Sequence, residues 1–182
     1  VYDPLIRMNA ENELVPCLAT EWEFVDDTHL KLKLREGVQF SNGEAFTAED
    51  VLFSFARTKE DSTSQSTMSW YDEVNSVAED DYTIILAMHH PYAPIFNVLS
   101  GGRTWIADKT TMDSVGEATY ARNPIGTGPW ILENWTSGAS MTMASNDNYW
   151  GDKTKTDKVM LKFIAEPANR VIELETGSAD VS

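Results

Sequence analysis

Gly126-Thr127-Gly128, the Asn146-Asp147-Asn148 run with Asp157, His89-His90 and Cys17 are the places where residue type and spacing invite a chemical reading. A phosphate cradle needs backbone N–H groups converging at a helix N-terminus. Gly126-Thr127-Gly128 lacks the third glycine of such a loop and runs into Pro129 and a strand pattern, so it reads as a strand-entry turn. A calcium loop needs oxygen ligands at alternating positions and a closing glutamate. Here Trp150 occupies a ligand position, Asn146 replaces the opening aspartate, and Asp157 is shorter than the glutamate required. Neighbouring side chains on a strand point to opposite faces, so His89 and His90 are poorly placed to chelate one ion. Cys17 has no second cysteine to pair with and no basic neighbour to favour a thiolate, and reads as a small buried filler. Asn134-Trp135-Thr136 is formally a glycosylation sequon. HExxH, GxxxxGK[ST], GxSxG and CxxC patterns are absent. The expectation is a protein without catalytic residues, resident metal or cofactor.

The elements that would carry these residues follow from periodicity. Glu21-Trp22-Glu23-Phe24 and Leu30 to Arg35 both alternate with period two around Asp26-Asp27-Thr28, which predicts a hairpin over 20–35. With Phe24 opposite Leu30 and Trp22 opposite Leu32, the apolar residues share one face, while Glu23 and Glu21 meet Lys31 and Lys33 on the other. Thr47-Ala48-Glu49-Asp50 resembles a capping box, and Ala48, Val51, Leu52 and Phe55 form one stripe of a helix ending near Arg57. Residues 58–69, rich in Ser and Thr, read as an exposed loop. Tyr82 to Met88 reads as a strand, Tyr92 to Leu99 as a short helix stopped by Gly101-Gly102, and Thr110 to Tyr120 as another helix. Strands are expected at 130–135, 141–145 and 159–164, with a last helix from Pro167 to near Gly177. Trp130 and Trp150 read as core residues.

The 182 residues carry 14 basic against 29 acidic side chains, a net charge of −15 with a pI near 4.4. That field repels phosphate backbones and anionic lipid, which disfavours nucleic-acid or membrane-surface binding. Hydrophobic residues at 42% and six tryptophans supply enough apolar surface for a packed core. No run approaches the roughly 20 apolar residues that cross a bilayer. Charge is uneven: residues 1–107 hold 7 basic and 18 acidic residues, net −11, and residues 108–182 hold 7 and 11, net −4.

Several phrases occur in the order found in one family. They are Val1-Tyr2-Asp3-Pro4-Leu5-Ile6, Leu14 to Trp22, Leu32 to Glu44, the Thr47-Ala48-Glu49-Asp50-Val51 helix start, Pro124-Ile125-Gly126-Thr127-Gly128-Pro129-Trp130, Asn148-Tyr149-Trp150-Gly151, and Glu175 to Asp180. Together they resemble the extracytoplasmic solute-binding proteins of ABC importers, in the large peptide/nickel-binding group (bacterial extracellular solute-binding protein family 5). The resemblance implies an α/β chain forming part of a two-lobed, class II periplasmic-binding-protein-like fold with mixed sheets and flanking helices. Lobes of that kind close around a ligand by a hinge. It further implies a small accessory domain over 1–107 and part of the first main lobe over 108–182, with the leader and the opposite lobe lying outside this sequence.

The implied function is binding of di- or oligopeptides outside the cytoplasmic membrane, in the periplasm or as a cell-surface lipoprotein, and delivery to the membrane subunits of an ABC permease for transmembrane transport. Nickel or another small solute is the alternative ligand, and a regulatory or chaperone-like module the alternative role. Thr67, three residues before Trp70, stands where the nickel-type pattern has an arginine. The residues that the resemblance assigns to ligand contact are Trp70, Tyr71, Arg103 and Trp105.

Overall fold

The structure, a computed structural model, describes residues 1–181. The chain opens with two short antiparallel strands, β1 (Ile6–Met8) and β2 (Leu14–Pro16), joined by a turn in which the Asn9 side chain accepts from the N–H groups of Glu11 and Glu13. Asn12 there adopts a φ of 63°, a region asparagine tolerates because its short polar side chain bonds locally.

Next come β3 (Ala19–Asp26), β4 (His29–Leu34), α1 (Ala48–Glu60), β5 (Tyr71–Asp80) and β6 (Thr83–Met88). The four strands form one antiparallel sheet in the order β3-β4-β6-β5. The hairpin register matches the sequence reading pair for pair: Trp22 faces Leu32, Phe24 faces Leu30, Glu23 faces Lys31 and Glu21 faces Lys33. Leu30, Leu32, Ile84 and Leu86 are paired across β4 and β6 and fully buried, so the alternating apolar residues make one wall of the core. Phe24 remains half exposed because β3 is an edge strand, with the ring of Phe96 edge-on to it at 5.9 Å.

Helix α1 lies against this sheet through Ala48, Val51 and Phe55, all buried. At its start the Asp50 carboxylate reaches back to accept the Thr47 N–H at 2.9 Å, closing the capping box. It runs three residues beyond Arg57, to Glu60. The segment after it is less exposed than expected, since Met68 is a core residue. β5 has no counterpart in the sequence reading.

Two helices follow as expected, with one interruption. α2 spans Ile95–Leu99, whereas the stretch from Lys109 splits into α3 (Lys109–Val115) and α4 (Glu117–Tyr120) at Gly116, whose φ of 81° stops the first helix. β7 (Trp130–Thr136), β8 (Ser140–Ser145) and β9 (Lys158–Lys162) form a third sheet, followed by α5 (Pro167–Glu175) with proline at its first turn. The α/β composition agrees with expectation. The sheets are antiparallel in every pairing among the described residues and not mixed: tight turns join β3 to β4, β5 to β6 and β7 to β8, and after α1 and β5 the chain returns with β6 running opposite to β4.

The main core joins Leu5, Ile6, Cys17 and Leu18 to the four-stranded sheet and α1. Half-buried Trp150 packs against its edge, with the Arg35 guanidinium 4.4 Å from its ring centre. Trp130 is also only half-buried.

Candidate functional site

The four residues singled out from the sequence fall into two environments. Trp70 and Tyr71 are both 0% exposed. Their rings pack edge-to-face with Phe55 and with each other at 5.6–6.3 Å, and Trp70 stacks on Tyr92 at 6.0 Å. Among the described residues the Trp70 Nε1 and the Tyr71 hydroxyl lack hydrogen-bond partners, and burial pushes the Tyr71 hydroxyl up to about 12. A solute could touch either ring only if the residues above it moved.

Arg103 and Trp105 lie at the surface, on the loop between α2 and α3. Trp105 is 48% exposed and stacks on Tyr2, with ring centres 5.8 Å apart and planes 15° from parallel. Gly102 allows this placement: a Cβ on it would stand 2.9 Å from the indole. The pair borders a recess of about 200 Å³ whose other walls include Arg57, Ser64, Gly102 and Arg103.

Arg103 Nη1 donates to the Thr63 carbonyl at 2.8 Å and to the Ser64 hydroxyl at 3.2 Å, two neutral acceptors that fix the side chain while leaving its charge unpaired among the described residues. Arg57 projects from α1 and donates Nη1 to Glu117 at 2.8 Å, and its Nε is buried without a partner among the described residues. Asp61 also lines the recess, but Thr63 and Ser64 occupy both its oxygens and hold its carboxyl below the ordinary value. Burial raises the Tyr2 hydroxyl, opposed by the nearby Arg57 charge and a bond to Tyr120. The site therefore offers a flat aromatic face beside uncommitted guanidinium donors, which suits reversible contact with a polar solute.

Tyr2 and Arg57 were not singled out in the sequence. Tyr2 meets a tryptophan 103 positions away, so no local periodicity announces it, and Arg57 reads as one more basic residue in a helix's last turn. Larger surface depressions lie elsewhere: about 780 Å³ at the ends of β3, β4 and β6, and about 710 Å³ between β9 and α5. Among the described residues no helix is long and apolar enough to cross a membrane, and no three His, Cys, Asp or Glu side chains cluster to hold a metal.

Residues 13–182 match the family model of the bacterial extracellular solute-binding proteins, family 5 Middle. The chain belongs to this family. Among family members, the nickel-binding periplasmic protein of Escherichia coli (strain K12) is 28% identical over 193 residues, covering 100% of this chain and 35% of that protein. NikA from Brucella suis, solved in complex with Fe(III)-EDTA, superposes with a TM-score of 0.85 at 32% identity, covering 97% of this chain and 36% of that one. DppA from Helicobacter pylori, solved with the peptide STSA, gives 0.86 at 28% identity over 98% of this chain and 40% of that one. The chain thus spans about a third of the length of the family 5 relatives it matches.

Proposed function

We propose that this family 5 chain forms part of the substrate-binding component of an ABC importer, acting outside the cytoplasmic membrane and handing a di- or oligopeptide to the permease subunits. The carrying observation is the recess at which a half-exposed Trp105, stacked on Tyr2, lies beside Arg103, which has no acidic partner among the described residues. A stacked, half-exposed aromatic pair beside a guanidinium in a recess is a surface that a polar solute can cover. Arg103 and Trp105 touch the solute in this reading, and Trp70 and Tyr71 form the buried aromatic layer packed on Phe55 of α1, reaching solute only through rearrangement. The division into an accessory domain (1–107) and part of a main lobe (108–182) belongs to the same proposal. It is supported by the four-stranded sheet lying wholly in the first range and the β7-β8-β9 sheet wholly in the second.

A nickel cargo is the second reading, favoured by the identities of 28% and 32% to the two nickel-type proteins. The ion would arrive already chelated, since the described residues gather no three-ligand cluster. Isothermal titration of the full-length gene product with tetraalanine and with nickel(II)–histidine separates the two. Saturable heat with the peptide alone supports the first reading, heat with the chelate alone supports the second, and silence with both ends the transport proposal. Trp105→Ala is expected to weaken whichever solute binds by about tenfold.

A further inference from the structure

We infer that the Gly126-Thr127-Gly128 turn is a positioning clamp that holds Tyr2 against Trp105, so that the ligand-facing aromatic pair depends on a turn outside the recess. The inference rests on the solute-binding reading of that pair. Neither glycine has a positive φ, so backbone conformation does not explain their identity. Close approach does. A Cβ on Gly128 would stand 2.5 Å from the Val1 carbonyl oxygen and 2.7 Å from its carbon, and one on Gly126 would stand 2.5 Å from that oxygen and 2.8 Å from the Tyr2 ring. The atoms met are mostly backbone, which cannot swing aside as a side chain can. The Gly128 N–H uses this proximity to donate to the Val1 carbonyl at 2.7 Å.

Asp3 restrains the other side of Tyr2. It is fully buried, and its carboxylate accepts from the Thr127 hydroxyl at 3.3 Å, from Trp150 Nε1 at 3.0 Å and from Arg7 Nη2. Its carbonyl accepts the N–H of Ile106, the residue after Trp105, at 3.4 Å. Tyr2 is therefore pinned between two residues gripped by one turn, and its stacking partner is tied to the second of them. The turn itself is fixed from outside by the Ser41 N–H, which donates to the Gly126 carbonyl at 3.0 Å.

The test uses the full-length gene product in six forms: wild type, Gly128→Ala, Thr127→Val, Tyr2→Ala, and each of the first two substitutions combined with Tyr2→Ala. Two readouts are taken, the cross-ring NOE between Tyr2 and Trp105 without solute, and the affinity for tetraalanine and nickel(II)–histidine. The clamp predicts that Gly128→Ala and the milder Thr127→Val each weaken the NOE and lower affinity by up to about tenfold. In the Tyr2→Ala background neither substitution should lower affinity further, because the route through Tyr2 is already cut. A turn that merely stabilises the fold would give additive losses, and additive losses or an unchanged NOE in both variants overturn the inference. Should Gly128→Ala not fold, Thr127→Val decides alone. If wild type binds neither solute, the transport proposal fails, and the clamp is then judged by the NOE, whose loss sustains it and whose persistence overturns it.

Discussion

Asp26 and Cys17 show how single side chains take their chemistry from their surroundings. At the tip of the β3–β4 hairpin the Asp26 carboxylate meets His29 Nδ1 at 2.9 Å and accepts the Thr28 N–H at 2.7 Å and hydroxyl at 2.9 Å. The His29 bond foremost, then those from Thr28, bring its carboxyl down to about 2. A depressed folded-state value means the hairpin tip gains stability above the ordinary value of 3.8 and loses it as pH falls through about 2. Carboxyl-carbon NMR titration is expected to show Asp26 ionised well below the ordinary aspartate value, and His29→Ala to move it back toward that value. Cys17 behaves oppositely. Burial first, with the Asp3 charge adding to it, pushes the thiol up to about 12. Iodoacetamide near pH ~8 is expected to leave the native thiol intact and to alkylate it once denaturant opens the core, read by intact mass.

At the scale of elements, α1 meets the sheet in part through one aromatic cluster, in which the Phe55 ring lies edge-on to both Trp70 and Tyr71. Phe55→Ala removes a ring from a fully buried site and is expected to cost about 3–5 kcal/mol in urea unfolding. The β3–β4 hairpin was legible in the sequence because its apolar and charged residues alternate without interruption, so one register alone separates them. β5 was not legible, because its period is broken. Asp72 bonds the N–H of Val74 at 3.2 Å and of Asn75 at 3.3 Å, and the register shifts between Asp72 and Val77, leaving Val74 almost fully exposed. β1 and β2, three residues each, are too short to display a period. The candidate site was legible in part: the loop carrying Arg103 and Trp105 stood out, whereas Tyr2 and Arg57 join it only through tertiary folding. Gly126 and Gly128 were recognisable as turn residues, but their proximity to Val1 has no signature along the chain.

Over the whole molecule, charge and exposed apolar surface are divided differently. The excess acid is concentrated in residues 1–107, net −11, and yet two of that segment's seven basic residues, Arg57 and Arg103, meet at one recess. Apolar exposure is greatest at the other end. Helix α5 buries no residue, with Val171 and Ile172 each 53% exposed, and Met160, Leu161 and Phe163 of the neighbouring strand region are exposed with them. These 182 residues produced alone are expected to self-associate through this face, and Val171→Lys with Leu161→Lys to reduce the association, as measured by sedimentation velocity across a concentration series. The buried lone thiol also has a practical consequence. Because Cys17 is shielded, a cysteine introduced at exposed Ser62, beside the Arg103 recess, would be the one site among these 182 residues open to a maleimide dye, placing a fluorophore where the proposed solute would bind.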